Sequence, residues 1–243
     1  MDGMSLEEAD GTVRALDRLA LLDRGMDGPT LKARQGPDPR EHPSLFYLKV
    51  PLANPDRLLS VAARLLAPVW TAPARVAWGI LVAAALVATA MDTNSVGTAV
   101  KAALQGTGWI WLAAITALSL TFHEFAHGVS ARRRGIPVTE MGVMLLVFIP
   151  CAYTDISGTY MLPHKRDRIA VALAGSVVDL FVWAVATLWL VVGSPTGGLA
   201  MALGATLAAT GLRSVLFNLN PLIRLDGYYV LVDLLEMPNL RER

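Results

Sequence analysis

Within the stretch Phe122-His123-Glu124-Phe125-Ala126-His127, three side chains could do chemistry together. On a helix, His123 and His127 project from one face, at the spacing that lets two imidazoles hold a single tetrahedral zinc ion. Glu124 stands one position further round, so its carboxylate reaches a water beside the metal rather than the metal itself, which makes it a candidate general base. The chemistry implied is hydrolysis by an activated water. A zinc site with an open catalytic position takes three protein ligands, so one must come from elsewhere in the chain. The stretch Asn218-Leu219-Asn220-Pro221-Leu222-Ile223-Arg224-Leu225-Asp226-Gly227 offers Asp226. There Pro221 is expected to break a helix and Gly227 to permit a tight turn. Taken alone, Asp226 reads more readily as an ordinary turn aspartate, and the histidines could instead be satisfied by neighbouring helices.

Three ionisable groups at the end of an apolar helix cost several kcal/mol unless they are paired or metal-bound, so their position asks for a function. The whole chain is apolar: of 243 residues, 54% are hydrophobic and only 17% charged, which makes a bilayer its natural solvent. A net charge of +1 gives no electrostatic case for nucleic acid, and none is expected as a partner. Cys151 is the only cysteine, which excludes an internal disulfide framework and a multi-cysteine metal cluster. The N-terminal MDGMSLEEADGTVRAL is acidic and lacks a basic stretch followed by an apolar core. No cleavable signal peptide is therefore expected, and insertion falls to internal spans.

Residues 1–68 are polar and punctuated by Pro and Gly, with short amphipathic runs around Leu45 to Val50 and Leu58 to Leu66. They read as a small cytosolic N-terminal segment, and residues 69–243 as a membrane-embedded domain. The expected spans are Val76 to Met91, Gly108 to His127, Ile169 to Val192 and Leu199 to Leu219, judged against the roughly 20 residues that cross a hydrocarbon core. Met141 to Ala152 is too short to cross and is interrupted by Pro150, so a re-entrant or interfacial hairpin is expected there. The fold class is accordingly all-α and polytopic, with about four transmembrane helices plus that hairpin. If the hairpin does not cross, Arg57, Arg64 and Arg75, then Arg132, Arg133 and Arg134, then Lys165, Arg166 and Arg168 all lie on one side. The loops Asp92 to Thr107 and Gly193 to Gly198 contain only Lys101. The positive-inside rule places the basic clusters and both termini in the cytosol. The His123 span and the span before Asp226 then end on that same side. At about 1.5 Å per residue from Trp109, His123 lies about 21 Å into a core of about 30 Å, nearer the cytosol.

His123-Glu124-Phe125-Ala126-His127 followed by Asn218, Pro221 and Leu225-Asp226-Gly227 resembles the site-2 protease family of intramembrane zinc metalloproteases. The resemblance covers roughly Pro68 to Leu240. From Pro150 through Arg168 and from Asn220 to Leu240 it is most similar to the bacterial peptide zinc metalloprotease branch, commonly found beside peptide export or peptide modification systems. It implies that His123, His127 and Asp226 bind Zn2+ and that Glu124 activates water. It also implies that Asn218 is catalytic, placed near the scissile carbonyl to donate to the developing oxyanion, with Asn220 as the alternative donor. Two differences stand out. The Gly-Pro-x-x-Asn element frequent in the family reads here Gly175-Ser176-Val177-Val178-Asp179, and relatives of that branch usually continue well past Leu-Asp-Gly, whereas this sequence ends at Arg243.

The expected activity is that of a zinc-dependent intramembrane endopeptidase cutting near the cytosolic side, maturing a precursor or leader peptide. Its expected partners are a peptide or membrane-protein substrate, the lipid bilayer, and a peptide exporter or peptide-modifying enzymes. The alternative is a metal-binding scaffold of a peptide-export assembly that cleaves nothing. Asp179 and Arg213 lie too deep in their spans to stay unpaired and are expected to pair with each other. Asp155 is expected to be a solvated turn residue. His42 and His164 lie in polar loops without ligand spacing.

Overall fold

Long apolar runs become long helices in the computed structural model, which describes residues 47–92, 94, 97–98, 101, 108–146, 149–193, 198–223 and 225–236. In chain order the elements are strand β1 (Tyr47–Ala53), helix α1 (Asp56–Leu65), a 3-10 turn (Ala67–Trp70), α2 (Ala72–Met91), α3 (Gly108–Arg133), strands β2 (Met141–Leu146) and β3 (Ile149–Thr154), a second 3-10 turn (Ser157–Met161), α4 (Lys165–Ala172), α5 (Ala174–Val192), α6 (Gly198–Asn218) and α7 (Asp226–Leu235). From Lys49 onward they form one compact unit. The expected cytosolic segment up to residue 46, with His42, lies outside the described residues.

Helices α2, α3 from Trp109 onward, and α5 are each long and apolar enough to cross a bilayer. Helix α2 buries only Ala85 and leaves Val76, Ile80, Val87 and Met91 exposed, which suits a helix whose solvent is lipid. Helix α5 is wedged between two neighbours. Its Trp183 and Ala184 pack with Ala85 of α2, and its Ala186 and Leu190 pack with Ala205 and Ala208 of α6. Small residues let α6 come close: a Cβ on Gly211 would press into the Asp179 carbonyl and Trp183, the close approach by which apolar helices associate where burial from water is not the driving force.

Three elements differ from expectation. The second span does not stop at His127, because α3 runs on to Arg133. Nothing from Gly128 to Arg133 breaks a helix, and Val129 and Ala131 are buried with Leu59, Val138, Leu162 and Val171 in the core that joins α1, α3 and α4. The third span is two helices, α4 and α5, separated at Leu173. The hairpin is made of strands: β2 and β3 pair antiparallel from Met141↔Thr154 to Leu146↔Ile149, and the sheet order is β1-β2-β3. Pro150 falls in β3, an edge strand of this sheet, where a residue without an N–H is tolerated. The fold is mostly helical with this small sheet added.

Candidate metal centre

His123 and His127 are each only 3% exposed, on the α3 face turned toward α4 and α5. Their ring nitrogens have separate tasks. His127 Nδ1 donates to the Val171 carbonyl at 2.8 Å, and one turn on Ser130 Oγ donates to Ala170 O at 3.2 Å, so the end of α4 is bonded directly to α3. His123 Nδ1 lies 2.7 Å from Asp179 Oδ2. Gly175, one turn before Asp179 on α5, lies against the same imidazole, and a Cβ there would overlap the ring.

Asp226 arrives from the far end of the chain. It opens α7 after Leu225, whose backbone is extended, and a carboxylate in a first helical turn is favoured by the helix dipole. The tight turn expected of Gly227 is absent. Gly227 is buried within the first turn of α7, and its missing side chain is needed because a Cβ would run into the Leu219 backbone. Helix α7 is tied to α4 by Arg168 Nε donating to Asp233 Oδ1 at 2.5 Å and by Lys165 to Glu236 at 2.8 Å. Burial opposes charge on Asp226, but the positive charge it shares with His123 and His127 outweighs it and holds the carboxyl down to about 2. It is a carboxylate throughout the neutral range.

These groups converge. His123 Nε2 and His127 Nε2 are 3.1 Å apart, and Asp226 Oδ2 lies 3.0 Å from the first and 3.2 Å from the second. With both Nδ1 atoms committed as donors, neutral rings turn bare Nε2 lone pairs toward each other and toward a carboxylate. Three acceptors so close repel unless a positive charge sits among them, either a proton or a metal cation. Donors around four-coordinate zinc, bound at about 2.0–2.1 Å, stand about 3.3 Å apart, close to these separations, so the donor set fits the ion.

Glu124 does not join the triad. Its carboxylate oxygens lie outside the group formed by His123, His127 and Asp226. Thr154, the last residue of β3, donates to the Glu124 carbonyl at 3.0 Å. Asn218 Nδ2 is 3.4 Å from His123 Nε2, at the end of α6 beside the site. Asn220 is used otherwise: its Oδ1 accepts from Leu222 N at 2.9 Å, shaping the turn around Pro221. Asp155 likewise serves its own turn, accepting from Ser157 N at 3.1 Å. The Arg213 side chain lies outside the described residues, so its expected pairing with Asp179 goes unobserved.

Its position in an apolar span signals that Asp179 needs a partner, and among the described residues one such partner is the His123 imidazole.

Comparison with known proteins bears on the same segment. Residues 111–214 match peptidase family M50. This is the site-2 protease family that the motifs resemble, a family of membrane-embedded metalloproteases. The M50 match takes in His123, Glu124, His127 and Asp179 and ends before Asn218 and Asp226, so those two join the M50 segment by geometry. An uncharacterized protein of Methanocaldococcus jannaschii is 33% identical over 76 residues, covering 30% of this chain. The matched stretch spans 21% of that relative's own length. No solved structure matches.

Proposed function

We propose that this chain is a zinc-dependent intramembrane endopeptidase that hydrolyses a peptide bond near the cytosolic side of the membrane. The observation that carries the reading is the convergence of His123, His127 and Asp226 at 3.0–3.2 Å within and beside an M50 segment. Zinc, when bound there, supplies a water acidic enough to ionise near pH 7 and polarises a carbonyl. Glu124 takes the water's proton and returns it to the leaving amine, a role supported by its place directly after His123 on the same helix. Asn218 donates its amide hydrogen to the developing oxyanion, a role supported by its place beside His123. An extended peptide suits such a site, since a helix hides its carbonyls in hydrogen bonds. Strand β3, at the sheet edge and bonded to Glu124 through Thr154, is the natural backbone for it to lie along.

The substrate class is a precursor or leader peptide, or a membrane-protein segment, presented with a peptide exporter or peptide-modifying enzymes. The basic clusters support a topology with both termini cytosolic. The deciding experiment incubates the detergent-solubilised protein with candidate precursor peptides, with and without a chelator. Cleavage that stops with chelator and returns with added zinc is expected. Full zinc loading without cleavage of any peptide would favour the non-cleaving scaffold instead. Topology reporters fused after Arg134 and after Arg243 should both report the cytosol, and a reporter on the outer side would overturn the orientation.

A further inference from the structure

We propose that Asp179 is the positioning residue of the metal centre, the group that sets the tautomer and orientation of His123. The proposal rests on the metal reading above. Its carboxylate is 2.7 Å from His123 Nδ1, and the two side chains are 2% and 4% exposed, so water does not compete for the contact. With a cation held among His123 Nε2, His127 Nε2 and Asp226 Oδ2, the single proton of a neutral His123 ring belongs on Nδ1, where the Asp179 carboxylate accepts it, and Nε2 is left as a bare ligand atom. The opposite tautomer would point N–H into the space the metal needs. Orientation comes from two points on α5: Asp179 bonds one edge of the imidazole, while Gly175, a turn earlier, supplies a surface without a side chain against the ring.

The two histidines are therefore held differently. His127 is oriented by the neutral Val171 carbonyl, and His123 by an anion, which also raises the basicity of its ligating nitrogen. Asp179 sits in a helix otherwise made of Val, Leu, Ala, Trp and Phe with a few small residues. A buried acid in such a helix is costly unless partnered, and the contact to a metal-ligating imidazole is a partner that gives it a function.

The test is a zinc titration of the full chain in detergent, using competition with a chromophoric chelator. The absorption spectrum of the Co2+-loaded protein and the circular dichroism of the metal-free protein are recorded beside it. Asp179→Ala should lose about 10–100-fold in zinc affinity and show altered Co2+ bands, with helical content unchanged. Asp179→Asn, which keeps an oxygen acceptor without the charge, should fall between Asp179→Ala and the parent. Gly175→Ala should weaken zinc binding with Asp179 intact, because the ring must move. If Asp179→Ala binds zinc within twofold of the parent with the same Co2+ spectrum, Asp179 is merely structural and the proposal fails. Should Asp179→Ala not fold, Asp179→Asn decides: weaker zinc and a shifted spectrum support positioning, and parent-like values for both overturn it. A parent chain that binds neither metal would overturn the metal reading and this proposal with it, an outcome distinct from a parent that binds and a variant that does not differ.

Discussion

The two halves of α3 form one continuous helix and live in different environments. Toward its start, Trp109, Trp111 and Leu118 are 62%, 45% and 56% exposed. Contact with the rest of the protein there runs along one edge, through buried Ile115 and the Thr116–Thr210 hydroxyl pair at 3.3 Å. From His123 to Ala131 the helix turns inward: His123, His127, Val129, Ser130 and Ala131 are at most 3% exposed, and the histidines and Ser130 each bond to another element. The first half has mainly to be apolar, because lipid tails accept any apolar surface of the right length. The second half has to be specific at each position, because a polar group away from water must meet its partner at hydrogen-bond distance. Substitutions should therefore have graded effects along one helix and its contacts.

The largest effect should come from the ligands themselves. His123→Ala, His127→Ala and Asp226→Ala should each lower zinc content of the purified protein from about one per chain to a small fraction, and abolish cleavage. Full occupancy in Asp226→Ala, measured by elemental analysis, would remove it from the donor set. Next comes Glu124→Gln, which should keep zinc and fold while turnover drops by about two to four orders of magnitude, since an amide cannot take the water's proton. Near-normal cleavage by this variant would end its assignment as base. Replacing Asn218 with Ala should slow turnover about a hundredfold at unchanged zinc content, and an unaltered rate would return Asn218 to a structural role.

A smaller effect is expected where the inner half is supported from outside. Arg168→Ala leaves Asp233 without its guanidinium partner and loosens α7, which carries Asp226. Zinc affinity should fall about severalfold and thermal stability with it. No change in either would mean that α7 is held in place without this ion pair, by contacts such as Gly227–Leu219 and Lys165–Glu236. The smallest effect belongs to the lipid-facing half: Leu118→Val should alter unfolding free energy by no more than about 0.5 kcal/mol and leave turnover unchanged. A tenfold loss of turnover would show that the two halves are not so different.

The sequence by itself determined which runs become long helices, that Met141 to Ala152 would not form a crossing helix, and that His123 and His127 share one helical face. These properties are local, since apolar length and helical spacing are set by neighbours along the chain. Convergence of Asp226 on that face was inferable because Pro221 and the basic clusters limited where the chain could go. Only the tertiary structure decided the rest. The end of α3 was settled by Leu59, Val138 and Val171 closing over Val129 and Ala131, and the role of Gly227 by a backbone eight residues earlier. The hairpin's two strands pair with each other, and β1, from about 90 residues earlier, joins β2 as the third strand. Asp179 met His123, 56 residues away, and no pattern along the chain carries that pairing. A buried acid announces that it needs a partner, and which donor meets it depends on how α3 and α5 pack together.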